Sequence, residues 1–152
     1  MSTRSKRDAA CKLEPVTPRL TSVIAERELR LVTKARKRKK VLVRLGRPRA
    51  FPEGTNFYCA YHILGLEDGD RKSWGGGADS MQALYPTLQK IMIDLVHTPA
   101  YREGRLSWEG MFDLGLPVIE PLRAHLRRGR SLERGDSRFK AADGKFHRSR
   151  RS

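Results

Sequence analysis

The chain has 152 residues, 32 of them Lys or Arg and 17 Asp or Glu, for a net charge of +15. That length suits one domain with tails, and the two cysteines, Cys11 and Cys59, are too few and too far apart for a disulfide framework, so a reducing compartment is the default. No apolar run approaches the ~20 residues that span a bilayer, and no apolar stretch follows the basic N-terminus to make a secretory signal, so the expectation is a cytoplasmic protein without membrane contact.

Residues 1–22 mix Ser, Thr, Arg and Lys with Pro15 and Pro18 and read as a disordered basic tail. From Ile24 to Thr33 the pattern alternates. Leu29 and Leu31 share one face and Glu28 and Arg30 the other, which is a half-buried strand. Lys34-Ala35-Arg36-Lys37-Arg38-Lys39-Lys40 follows as a basic connection. It leads to a second strand with Val41, Val43 and Leu45 on one face, so the two strands read as a hairpin. Residues 47–54 are a loop by their prolines and their Glu-Gly end. Thr55 to Leu66 is rich in aromatic and β-branched residues and apolar on both faces, as a central strand would be. Glu67 to Asp70 is a turn, and Arg71 to Trp74 a short fourth strand. Gly75-Gly76-Gly77 reads as a flexible turn into a helix.

That helix is the clearest element of the chain. Met81, Leu84, Tyr85, Leu88, Ile91, Met92, Leu95 and Val96 fall at helical spacing and form a wide apolar stripe. Asp79 and Gln82 make a capping box. Pro86 predicts a kink, or a first turn separate from the rest. Beyond it, Thr98 to Gly104 is a connection, and residues 106–116 are a short strand or an irregular cover. Pro117 suits the start of a short helix with Val118, Ile119, Leu122 and Leu126 on one face.

The expected fold class is α+β. A mostly antiparallel sheet of about four strands holds one long helix on one face, with a short C-terminal helix and disordered basic tails. The expected domains are a tail over 1–22, a single domain over 23–128 and a second basic tail over 129–152.

Four segments of the chain form a pattern. They are Ile24-Ala25-Glu26-Arg27-Glu28-Leu29, Val43-Arg44-Leu45-Gly46-Arg47-Pro48, Phe57 to Leu66 (FYCAYHILGL), and Gly77-Ala78-Asp79-Ser80-Met81-Gln82-Ala83-Leu84. Together, over residues 23–97, they resemble a family of small uncharacterised bacterial proteins catalogued as a domain of unknown function. Its segments read "RE-L", "R-G-P", "C-x-x-x-I-x-G-L" and "D-S-x-Q-A-L". This chain departs from the pattern at Pro86, where an aliphatic residue is expected, and its basic hairpin and tails lie outside it. The resemblance implies an antiparallel sheet with a helix, a bacterial source and no assigned activity.

Candidate chemistry is sparse. Cys59 and His62 are three apart, but in a strand that spacing points them to opposite faces, so they cannot readily share a metal ion. The same geometry defeats a Cys nucleophile with a His base. The glycine run could present amides to an anion, yet Asp79 already fills the helix cap and no Gly-Lys-Ser/Thr ending follows. Trp74 and Trp108 read as lids over the core. Glu26 and Glu28 read as the solvated side of a strand, and Glu109 and Asp113 form no clear acid/base couple. The expectation is therefore no catalytic site, no cofactor and no metal.

The basic runs are the remaining signal. Residues 123–152 hold eleven basic and three acidic side chains, net +8, while residues 23–122 hold sixteen and twelve, net +4. The candidate polyanion-binding residues are Lys34, Arg36, Lys37, Arg38, Lys39 and Lys40 on the hairpin. The C-terminal comb adds Arg127, Arg128, Arg130, Arg134, Arg138, Lys140, Lys145, Arg148, Arg150 and Arg151. Such clusters attract phosphate backbones by counterion release, and Phe139 and Phe146 could stack on bases. The expected function is a non-catalytic accessory module whose basic arms contact nucleic acid or another polyanion. The alternative is a protein-interaction module, such as a homodimer through a sheet edge, with tails that only solubilise.

Overall fold

Two strands, β1 (Val23–Val32) and β2 (Arg38–Gly46), pair antiparallel as the hairpin that the alternation predicts. The computed structural model describes residues 18–124 and 126. Residues 1–17 of the tail expected over 1–22, and the whole of the tail expected over 129–152 with the C-terminal comb, lie outside the described residues. Leu29, Leu31, Val41, Val43 and Leu45 are buried on one face. The opposite face sets Glu26 against Arg44, Glu28 against Leu42 and Arg30 against Lys40. The connection is shorter than the basic run. The Thr33 amide donates to the Lys37 carbonyl at 2.8 Å, and the Thr33 hydroxyl accepts from the Lys37 amide at 3.0 Å. Arg36 closes this turn at φ 58°, and Arg38, Lys39 and Lys40 already belong to β2.

Four further strands complete the sheet: β3 (Arg49–Ala50), β4 (Phe57–Leu64), β5 (Arg71–Gly77) and β6 (Leu106–Ser107). The sheet thus has six strands where the sequence suggests about four; β3 and β6 are too short to leave a periodic signal. The order is β6-β1-β2-β4-β5, all neighbours antiparallel. β3 also pairs with β4, on the edge that β5 leaves free. In β4, Cys59, Tyr61 and Ile63 are fully buried, while Tyr58, His62 and Leu64 face the other way and are half-buried.

Gly75, Gly76 and Gly77 are not a turn: they are the last three residues of β5. A Cβ on Gly75 would lie 2.3 Å from Thr87 Oγ1, and one on Gly77 2.4 Å from the Ala83 nitrogen. The glycines let helix α1 (Ser80–Val96) lie directly on the strand backbone. Asp79 caps it, accepting from the Gln82 amide at 2.8 Å, while Gln82 accepts from the Ala78 amide at 3.3 Å. The helix runs through Pro86, so the separate first turn does not occur. Pro86 and Gln82 are both exposed, which leaves the carbonyl that loses its amide partner on the solvent side.

The close contact also rotates the helix. Its buried residues are Ala83, Thr87, Ile91, Met92, Leu95 and Val96. Met81 and Tyr85, expected in the core, are 75% and 58% exposed, and Leu84 and Leu88 are half-buried. The large residues of the first two turns are displaced because only small ones fit against glycine. Thr87 is accommodated by donating to the Ala83 carbonyl at 2.6 Å.

The rest of the chain closes the inner face. Helix α2 (Pro99–Arg102) is one turn, with Thr98 as its cap and Pro99 in the first turn. Arg105 donates to the Val32 carbonyl at 2.7 Å and pairs with Glu67 at 2.6 Å, which ties this segment to β1 and to the β4–β5 turn. Arg27 donates to the Leu114 and Gly115 carbonyls at 2.7 and 2.8 Å, and its guanidinium lies 4.3 Å from the Trp108 ring centre. Leu114 is fully buried beneath this clamp. Residues 120–124 are helical, a later start than Pro117 suggests, and Val118, Leu122 and Leu126 pack on the core.

Candidate nucleic-acid interface

The sheet has two unlike faces. Its inner face holds the core under α1 and the segment from α2 onward. On its outer face the strands present mostly half-buried and exposed side chains, with the small Ala60 buried. Strand register aligns these in rows. One row runs Glu26–Arg44–His62–Lys72 across β1, β2, β4 and β5. Another places Arg30 beside Lys40. By alternation, Arg38 shares the face of Lys40.

The hairpin cations therefore do not stand alone. Lys34, Arg36, Lys37, Arg38, Lys39 and Lys40 are all exposed. Lys40 pairs with Glu28 at 3.0 Å, and the Lys34 amide donates to Glu67 at 3.1 Å. Behind the tip the outer face adds Arg30, Arg44 and Lys72, with Glu26 holding Arg44 at 2.6 Å. These three escape a sequence reading because they are far apart in the chain. The usable signal is their place on the solvent side of alternating strands. His62 sits between Arg44 and Lys72, and its pKa is lowered by burial first and by those two charges next, with Asp70 acting the other way. Burial and the two cations both favour its neutral form.

Further along the same face are three aromatic rings: Phe51 from the loop after β3, Tyr58 of β4 and Trp74 of β5. Phe51 lies 5.0 Å from Tyr58 and 5.4 Å from Trp74 between ring centres. Trp108 is the lid expected, half-buried under Arg27. Trp74 is not: it is 37% exposed on the outer face.

The other candidates separate. Cys59 points inward, and its thiol donates to the Gly46 carbonyl at 3.1 Å. Burial pushes that thiol up to about 11, against a smaller opposite effect of the Thr87 hydroxyl bond. His62 points outward, so the two share no site. The Tyr61 hydroxyl, also inside, donates to Asp94. Glu26 and Glu28 serve as ion-pair partners, and Asp113 accepts from the Gly115 amide. Among the described residues no three His, Cys, Asp or Glu side chains are grouped to hold a metal ion, and no helix is long and apolar enough to cross a membrane.

No curated protein and no solved structure matches the chain. Residues 25–118, which span the sheet, the long helix and the clamp beneath Arg27, match the family described as a domain of unknown function, DUF6968, and the chain belongs to that family.

Proposed function

We propose that the protein is a non-catalytic binding module that takes a nucleic acid against its basic hairpin and the outer face of its sheet. The observation behind this reading is the run of cations from the exposed hairpin tip, through Arg38 and Lys40, to the half-buried Arg44 and the exposed Lys72 on one face of the sheet. Each phosphate neutralised releases condensed counterions, so such a surface binds a polyanion without needing base contacts. The C-terminal comb of arginines adds to the same attraction.

The test is oligonucleotide binding by the full chain as salt is varied. Replacing Lys37, Arg38 and Lys39 by Gln should weaken binding and flatten the plot of log affinity against log salt, by ~0.7 for each single-strand phosphate that the variant no longer neutralises. An unchanged slope would remove the hairpin from the interface.

A second reading rests on β1. Among the described residues, β6 pairs with it only at Arg30 and Leu31. Val23 and Ile24, at the far end, are 44% and 51% exposed. An uncovered strand edge with apolar side chains can add a strand from a protein partner or a second copy. Sedimentation of the parent and of Ile24→Lys checks it: a dimer that dissociates in the variant favours this reading.

A further inference from the structure

We propose that the aromatic patch of Phe51, Tyr58 and Trp74 is a base-stacking site, so that the ligand of the outer face is single-stranded nucleic acid. The inference rests on the nucleic-acid reading above and narrows it to one class. Phosphate attraction alone does not distinguish a strand from a duplex, but stacking does, because only unpaired bases offer a free π-face.

The geometry places the three rings on one surface. Tyr58 is in register with Arg49 on one side and Gly76 on the other, and Ala60 with Trp74. Gly76 has no side chain to stand between the rings: a Cβ there would lie 3.3 Å from the Trp74 ring. Phe51 approaches Trp74 edge-on, at 77°, and Tyr58 at a tilt of 52°. The indole remains more than one-third exposed although apolar surface lies beside it.

Charge complements the rings. The register rows of Tyr58 and Trp74, Arg49–Tyr58–Gly76 and Ala60–Trp74, contain no acidic residue, and the exposed Glu53 follows Phe51 by two residues in its loop. The adjoining row brings Lys72 and Arg44, and Lys90 from α1 lies 5.9 Å from the Trp74 ring centre while donating to the Trp74 carbonyl at 3.0 Å. The same row also holds Glu26, bonded to Arg44, and Asp70 acts on His62. From the Lys40 row to the Tyr58 row is four steps of two residues, ~27 Å at ~3.4 Å per residue. A strand anchored by phosphates on the hairpin can thus run along the face and set bases on the rings. Such a path suits about four nucleotides or more, the lower end of what a single-strand-binding barrel covers.

The test compares three ligands of equal length with the full chain: an oligothymidine, the same backbone made abasic, and a duplex. Trp74 fluorescence and anisotropy are read together. The thymidine strand should bind about tenfold more tightly than the abasic strand and quench the tryptophan signal. Trp74→Leu keeps apolar bulk and removes the π-face, and should lose about tenfold on the thymidine strand alone; Trp74→Phe should keep most of it. Equal binding of thymidine and abasic strands, with Trp74→Leu unchanged and the hairpin variant weakened, overturns the stacking site and leaves the polyanion reading standing. Duplex binding equal to that of the thymidine strand overturns the single-strand assignment. No binding of any ligand at low salt overturns both readings.

Discussion

Gly75 of β5 and Thr87 of α1 touch so closely that a Cβ on the glycine would fall 2.3 Å from the threonine hydroxyl oxygen and 2.9 Å from its nitrogen and Cα. Two of those three atoms are backbone, so no rotamer change relieves the clash. Gly75→Ala should destabilise the fold by about 2 kcal/mol or more, as overpacking of a tight contact does. Gly76→Ala, on the outer face, meets the Trp74 side chain at 3.3 Å and the Phe57 carbonyl at an ordinary contact distance of 3.5 Å, and should melt close to the parent. Urea melts of the pair check this, and equal stability of the two variants would mean that the helix does not lie on the strand backbone.

The same contact decides which helix residues matter. Ile91 and Leu95 are fully buried, whereas Met81 is 75% exposed. Ile91→Asp buries an unpaired carboxylate at a cost of several kcal/mol, comparable with the ~5–15 kcal/mol stability of a domain, and should unfold the chain. Met81→Asp should melt within about 0.5 kcal/mol of the parent. Circular dichroism melts of both variants separate the two halves of the stripe.

These two cases show what a sequence can reveal here. Leu29, Leu31, Val41, Val43 and Leu45 alternate cleanly, so the hairpin and its buried face are readable. Glycines leave no periodic mark, so the strand pattern of β5 stops at Trp74 and its last three residues read as a turn. With that strand cut short, nothing in the pattern turns Trp74 outward beside Tyr58. Large apolar residues at helical spacing suggest Met81 and Tyr85 for the core, because periodicity ignores how near the neighbouring backbone comes. Helix α2 does have a signal, Thr98 followed by Pro99, which is a cap and a first-turn proline. On the candidate interface, the hairpin run is visible as composition. Arg44 and Lys72 meet only through strand register, which needs β4 between them.

Two buried acids predict alkaline sensitivity. Burial raises the Cys59 thiol to about 11 and also raises the Tyr61 hydroxyl, which the bond to Asp94 pushes further the same way. A group whose folded pKa is raised stabilises the fold below its unfolded pKa, and that contribution is lost as pH rises. Stability should therefore fall from about pH 9 upward. Cys59→Ala should flatten part of that fall between about pH 9 and 11. In a Cys11→Ser background, Cys59 should react slowly with a thiol reagent at pH 8 and rapidly once unfolded. Fast labelling of the native protein would contradict the burial.

At the acid end, Glu67 is the counterpart. Its bond to Arg105 is the first cause of a lowered pKa. A depressed carboxylate stabilises the fold above its unfolded pKa, and the contribution disappears as pH falls through the folded value. Glu67→Gln should lower the melting temperature at pH 7, and the gap to the parent should close as pH drops below about 4.5. A constant gap across that range would show that the pair does not act through charge.

The interface is best tested by position, because a chain of net charge +15 binds polyanions loosely wherever its cations lie. Lys72 stands on the outer face, and Arg102, exposed on α2, belongs to the helical side of the fold. Lys72→Glu and Arg102→Glu change the net charge equally, by two. If nucleic acid lies along the sheet, Lys72→Glu should weaken single-strand binding about tenfold or more and reduce the salt slope, since it withdraws a cation from a phosphate and adds a repulsive charge. Arg102→Glu should change affinity by less than about threefold, because a charge farther than the ~10 Å Debye length at 0.1 M salt is largely screened. Anisotropy titrations at three salt concentrations give both numbers. Equal losses in the two variants would mean that only total charge matters and that the outer face is not a site. A loss confined to Lys72→Glu would place the ligand on the sheet, between the hairpin and the rings.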